Sequence, residues 1–154
     1  QLGSNIDGDA NERIGRGVAL SDDGSIVAMG SNLGGVGKVY QLSSGSWSQL
    51  GLDQAYSVNN VTNTSLGLST SISNDGTRVA FGAPGLLDGE TGSVLVLKYT
   101  SGNWDYVNAL SGGSDTPFGW SSDISNDGSI IAAGNYQNID GQGTGLVVKL
   151  EREN

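Results

Sequence analysis

The chain has no cysteine and no histidine. Their absence excludes disulfides, thiolate nucleophiles, Ser–His triads and zinc sites of the usual His/Cys kind. Basic residues are scarce as well. The seven Lys and Arg (Arg13, Arg16, Lys38, Arg78, Lys98, Lys149, Arg152) are scattered, and against 16 acids they leave a net charge of −9. No basic patch can be assembled from so few, so nucleic acid and anionic membrane are poor partners. No apolar run approaches the roughly 18–20 residues that span a bilayer. The chain opens at Gln1 with neither Met nor a charged-then-apolar leader, which reads as a processed mature chain or an excised piece. Missing disulfides assign no compartment, since extracellular repeat proteins often carry none.

Apolar residues are also few, at 36%, whereas Gly, at 26 of 154 residues, is far above its usual share of about 7%. Val, Ile and Leu nevertheless cluster in short alternating runs. That pattern selects an all-β protein with many tight turns over disorder or a fibrous repeat.

One ten-residue phrase recurs at a 52-residue step: SDDGSIVAMG from Ser21, SNDGTRVAFG from Ser73 and SNDGSIIAAG from Ser125. Gly15, Gly67 and Gly119 keep the same step. Three units follow, at approximately 13–51, 65–110 and 117–154, and their length variation falls between the phrase and the next strand. Each reads as strand, tight turn, strand, loop, strand, turn, strand. The first strands (Arg16–Leu20, Leu68–Ile72, Trp120–Ile124) place Val18/Leu20, Thr70/Ile72 and Ser122/Ile124 on one face. Gly17/Ala19, Ser69/Ser71 and Ser121/Asp123 form the opposite face, small except for the last, which suits close packing on a neighbouring sheet. Asp23-Gly24, Asp75-Gly76 and Asp127-Gly128 then mark hairpins, with Gly supplying positive φ and Asp bonding its own backbone. Second strands run Ile26–Gly30, Arg78–Gly82 and Ile130–Gly134; third strands begin near Lys38, Ser93 and Leu146. Fourth strands carry Trp47 and Trp104 after Ser-Gly turns. The expectation is three four-stranded antiparallel repeats of about 50 residues, the size of β-propeller blades.

The residues offer little catalytic chemistry. A calcium loop needs alternating oxygen ligands and several carboxylates, and the S-N-D-G-S turns do not provide them. Asp7, Asp9 and Asn11 do alternate, like the start of an EF-hand loop, but Glu12 stands where Gly is needed and Val18 where a bidentate acid belongs. These three are the candidate metal ligands, with an acidic surface loop as the default. Asp88-Gly89-Glu90 and Asp140-Gly141-Gln142 keep the turn and not the ligands. Paired carboxylates for glycoside hydrolysis are available in number, but most of the acids lie in turns. Asp123 departs from Ala19 and Ser71, so it faces a blade interface or, less costly for a carboxylate, a wet central channel. Asn60-Val61-Thr62 and Asn63-Thr64-Ser65 are N-glycosylation sequons that permit a secretory reading. Trp47 and Trp104 recur at one place and read as packing anchors. Trp120 is not matched in the other units, where Arg16 and Leu68 stand in its place, and is a candidate surface contact for sugars.

With these elements in place, the chain resembles the FG-GAP repeats of integrin-α-like β-propellers. The resemblance rests on Phe118-Gly119 and Leu66-Gly67 opening a unit, the Asp-Gly turn, Phe81-Gly82-Ala83-Pro84 after the second strand, and Gly92-Ser93-Val94 leading the third. It covers nearly the whole chain. Gly30-Ser31-Asn32 and Gly134-Asn135-Tyr136 replace the Gly-Ala-Pro element elsewhere, and the hairpins lack the long Ca²⁺ loop of many members. The resemblance implies an extracellular or cell-surface recognition, adhesion or structural role.

Closed propellers usually take four to eight blades, and this chain supplies three. Gln1-Leu2-Gly3 matches Gln49-Leu50-Gly51, the end of a fourth strand, and the last unit stops at Glu151–Asn154 before any Trp strand. Open edges call for cover. Two copies could close a six-bladed ring, or further blades could come from a longer chain or fibre. The function expected is non-enzymatic: an extracellular structural or adhesion module assembling with itself or with further blades, or with extracellular protein or glycan. The alternative is a carbohydrate-binding propeller module, and a carboxylate enzyme stands third.

Overall fold

The computed structural model describes residues 1–31, 34–55, 57–58, 61–62, 65–85, 92–112, 116–135 and 142–150. Among them there is no helix. The first sheet runs β1 (Ile14–Leu20), β2 (Ile26–Ser31), β3 (Val36–Ser43), β4 (Ser46–Gln49), and β5 (Gln54–Ala55) returns to pair with β3. A two-stranded ribbon follows, β6 (Ser57–Val58) with β7 (Val61–Thr62). The second sheet is β8 (Thr70–Ile72), β9 (Arg78–Ala83), β10 (Ser93–Thr100) and β11 (Asn103–Ser111). The third is β12 (Ser121–Ile124), β13 (Ile130–Asn135) and β14 (Thr144–Lys149). Every pairing is antiparallel between neighbours in sequence, apart from the return of β5.

The repeated phrase builds the first hairpin of each sheet. Gly24 N–H donates to Ser21 O (3.0 Å) and Ser21 N–H to Ile26 O (2.9 Å); Gly24 has φ +72°. This is a four-residue turn closed by a left-handed Gly, not a two-residue turn with positive φ at Asp. Asp23 Oδ1 accepts from Ser21 Oγ, Ser25 N–H and Ser25 Oγ, and Ser21 Oγ accepts from Ile26 N–H. The same bonds recur around Asp75 (Ser73, Thr77, Arg78) and Asp127 (Ser125, Ser129, Ile130). The recurring Ser, Asp and Ser/Thr side chains of the phrase are therefore structural ligands of their own turn.

The sheets stack face to face, large residues on small. Phe81, Val79, Leu95, Leu97 and Ile72 of the second sheet pack beneath Ala28 and Val39 of the first. Ala80, Val94 and Val96, on the other face of the second sheet, pack on Ile124, Ile131 and Ala133 of the third. Contact is closest where glycines meet. A Cβ on Gly30 would lie 2.3 Å from Gly67 Cα, and one on Gly82 would lie 2.1 Å from Gly119 O. At the turn ends, Asp22 N–H donates to Asn74 O and Asn74 N–H to Asn126 O, both at 3.0 Å. Both inter-sheet contacts thus obey one geometry at one 52-residue step.

Strand existence, hairpins and the small-residue packing face agree with the sequence expectation. Three points differ. The third sheet has three strands among the described residues instead of four. Residues 65–69 and 118–120 form turns, so Leu68 and Trp120 precede the first strands and do not begin them. The first sheet's outer strand is broken at residues 50–53 and resumes as β5. The corresponding β11 is continuous but slips register opposite Val96/Leu97, a bulge that bends the outer strand.

Candidate functional site

Among the described residues two faces have no sheet upon them, and each is half of a contact the chain makes twice inside itself. On the first sheet, Val18 and Leu20 are 55% and 58% exposed, whereas Ile72 and Ile124, which stand where Leu20 does, are 9% and 6% exposed. On the third, Val147 is 70% exposed, whereas its counterparts Val39 and Val96 are at 1% and 0%. The register fixes these equivalences: Val39, Val96 and Val147 lie opposite Ala28, Ala80 and Ala132. The third-sheet face is a concavity of about 520 Å³ lined by Ser121, Asp123, Ala132, Gly134, Gly145 and Val147 among others. Asp123 is exposed there, its Oδ1 accepting from Ile124 N–H (3.0 Å). Trp120 is half-buried and does not line the concavity.

At the outer edge the chain supplies part of the missing cover itself. Trp104 Nε1–H donates to Leu50 O (2.8 Å), binding the second sheet to the end of the first sheet's outer strand. Trp47 Nε1–H donates to Leu2 O (2.9 Å) in the same way. Gly3 and Gly51 lie equally close to those indoles, each with a Cβ position 2.9 Å from Cδ1. Trp104 joins the buried core as a packing anchor, Trp47 is half-buried, and Gln1–Gly3 stands on the first sheet as Gln49–Gly51 stands on the second.

The acidic N-terminal segment serves a different purpose from the one its spacing suggests. Lys38 lies in line with Val36, Tyr40 and Leu42 on β3, and its side chain is 5% exposed. Its ammonium contacts Glu12 (2.9 Å), Asp9 (3.4 Å) and Asp53 (3.5 Å). Burial works to lower its pKa, but hydrogen bonds and charge from Glu12, Asp53 and Asp9 outweigh it and hold the ammonium above the ordinary lysine value. Asp9 and Glu12 also close a turn on each other, Asp9 N–H to Glu12 Oε2 and Glu12 N–H to Asp9 O. The carboxylate cluster among the described residues is Asp9–Glu12–Asp53, without Asp7; Asp7 and Asn11 are exposed. In this structure the cation among these three carboxylates is the Lys38 ammonium. A lysine on the apolar face of a strand was the signal for the cluster, and its acids lie too far off in sequence to be read from spacing.

The turn carboxylates are likewise committed. Backbone and hydroxyl donors at Ser25, with Ser21, hold Asp23 below the ordinary carboxylate value; Ser129 and Ser125 pull Asp127 down to about 2. At Asp75 burial pushes upward and is overcome by Ser73 and Thr77, so the net direction is again down. The sequons at Asn60 and Asn63, and the Asp88 and Asp140 turns, lie outside the described residues.

No protein-family model and no curated protein matches the sequence. Among solved structures the chain is similar to the β-propeller domain of Cps50 (Swd1) from Myceliophteria thermophila, with TM-score 0.55 and 13% identity over 86% of this chain and 38% of that one. The likeness is to β-propellers. It is also similar to candidate 6-phosphogluconolactonases from Bacteroides fragilis (TM-score 0.51, 17% identity, 87% of this chain and 38% of that one) and Bacteroides uniformis (0.51, 14%, 86% and 40%). The chain spans about two-fifths of the length of each. At these identities the likeness concerns fold alone.

Proposed function

We propose that the three sheets are consecutive blades of a β-propeller and that the chain's work is assembly: a non-enzymatic, extracellular or cell-surface structural or adhesion module of the FG-GAP kind. The observation that carries this reading is the pair of uncovered faces, each matching half of an internal contact, on a fold whose solved likenesses are more than twice as long. Exposed apolar sheet faces rimmed by polar residues mark interaction sites. The recurring carboxylates are absorbed in holding turns and one buried lysine, which supports a scaffold over a catalyst.

Beads coated with the chain test the reading. Beads that cluster with one another, or that are retained on a cell or matrix surface, are the expected result. Beads that do neither would count against an assembly or adhesion role. A second reading draws on the polar groups of the third-sheet concavity, Ser121, Asp123 and Asn135, as a carbohydrate-binding surface. Selective binding on a glycan array, lost in Asp123→Ala, would favour it.

A further inference from the structure

Resting on that reading, we infer that the partner of the third-sheet face is the first-sheet face of a second copy of this chain, and that two copies close head to tail into a ring of six sheets. The repeat specifies the contact position by position. Gly30 receives Gly67 and Gly82 receives Gly119 at distances only glycine permits. The next pair in the series is Gly134 with Gly15. Among the described residues both are open for it: a Cβ on Gly134 would come no closer than 3.3 Å to any of them, and one on Gly15 (φ +97°) would meet Met29 Cε at 3.6 Å.

Side-chain sizes continue the series. Gly37 of the first sheet covers Phe81 of the second, a Cβ there falling 2.7 Å from the ring. The equivalent pair across the second contact is Val94 and Ala133, a larger residue over a smaller one; both belong to the same buried cluster. At the open contact the pair is Gly145, with no described residue within 4 Å of its Cβ position, and Met29. Glycine is once more opposite a long side chain. The hydrogen-bond series Asp22 N–H to Asn74 O, Asn74 N–H to Asn126 O continues with Asn126 N–H to Asp22 O of the second copy. Ser121 takes the place of Ser69, whose hydroxyl donates to Gly119 O (3.0 Å), and so meets Gly15 O of the second copy.

The outer edge fits as well. Gln49 lies opposite Tyr40, and Leu50 N–H donates to Val39 O (2.7 Å), while Leu50 O serves Trp104. By the same rule Gln1 and Leu2 of the second copy add to β14 beside Val148 and Val147 as a short fourth strand, with Leu2 O already serving Trp47. Charge opposes closure on both faces: Lys38, opposite Met29 on the first sheet, brings its carboxylates to the contact. Asp123 stands where Ala19 and Ser71 do, and docking sets its carboxylate against Leu20 of the second copy, out of water.

Light scattering on a sizing column, from low micromolar concentration upward, tests the inference. The expected mass is twice 15.7 kDa. Gly134→Ala and Gly145→Ala each weaken the dimer by roughly ten- to a hundredfold, the overpacking cost expressed as affinity, while the thermal unfolding of each variant monomer matches that of the wild-type monomer. Asp123→Ser tightens it by roughly tenfold, relieving the buried charge. A monomer at every concentration, a mass that grows beyond two copies, or a dimer indifferent to Gly134 and Gly145 would each overturn the inference. A monomer whose beads are still retained on cells leaves the adhesion reading standing; a monomer whose beads are not retained ends both.

Discussion

Gly82→Ala probes the stacking on which everything else depends. Gly82 sits in β9 facing the third sheet, and a methyl group there would lie 2.1 Å from Gly119 O and 2.2 Å from Ser69 Oγ. The hydroxyl can rotate away. The carbonyl cannot, because Gly119 is fixed at φ +99° and its N–H is bonded to Gly134 O (3.1 Å). Ordinary contact begins near 3.4 Å, so the sheets must part by roughly 1 Å, a gap that forfeits much of the dispersion contact along the seam. Val94, Val96, Ile124 and Ile131 line that seam. Overpacking of this kind costs about 1–3 kcal/mol, and the bond from Ser69 to Gly119 O adds about 1 kcal/mol. A loss of about 3 kcal/mol is a large share of a typical 5–15 kcal/mol. Equilibrium urea unfolding followed by Trp fluorescence reads it as a midpoint lowered by roughly 1–3 M at unchanged slope. In an uncrowded strand the same change would stabilise by about 0.4–1 kcal/mol through the unfolded chain, so the sign is diagnostic. A midpoint equal to or above that of the wild type would refute the close approach of the second and third sheets.

Other outcomes follow from the same contacts. Trp104→Phe keeps the packing but deletes the indole donor to Leu50 O; a loss of about 1 kcal/mol in urea unfolding is expected, and no loss would mean the outer edge is not held this way. Lys38→Met strands three carboxylates, one of them (Glu12) with a side chain only 13% exposed. Removing one partner of a buried pair costs about 3–5 kcal/mol, and the expected cost is at the low end because Asp9 and Asp53 reach water. Calcium at millimolar concentration should leave the wild-type melting temperature unchanged, because Lys38 already occupies the Asp9 cluster; a rise abolished by chelator would restore Asp7, Asp9 and Asn11 as ligands. Asp23, Asp75 and Asp127 have folded pKa values below the ordinary 3.8, so the stability they give is complete above that value and is lost as pH falls through the folded values, about 2 for Asp127. Between about pH 4 and 2 the wild type should therefore lose melting temperature more steeply than a variant with all three changed to Asn; equal slopes would contradict the turn geometry.

The 52-residue repeat made most of this fold readable from the chain, because each unit states its turn chemistry with the same letters. Asp-Gly marked the hairpins, and alternation of small with large residues marked which face of Gly17, Ser71 and their neighbours would be pressed against another sheet. What alternation could not show was the roles of Ser21 and Ser25, whose hydroxyls complete the Asp23 turn from either side, since serine is common in any turn. Nor could spacing reveal the Lys38 cluster: Asp9, Glu12 and Asp53 come from two separate loops, and only folding brings them onto one ammonium. Asp7, Asp9 and Asn11 read as candidate metal ligands because alternation is all a linear pattern can display; the fold sets Asp9 against the Lys38 ammonium. The identity of Gln1–Gly3 with Gln49–Gly51 was legible as well, and Trp47 holds Leu2 O as Trp104 holds Leu50 O.

Electron microscopy of the purified chain tests the central claim most directly, by counting sheets around the axis. Class averages showing a closed annulus of six radial sheets, with two-fold symmetry imposed by the two copies, are the predicted result. Arcs of three sheets with both end faces bare, or open strings of such arcs, would contradict it.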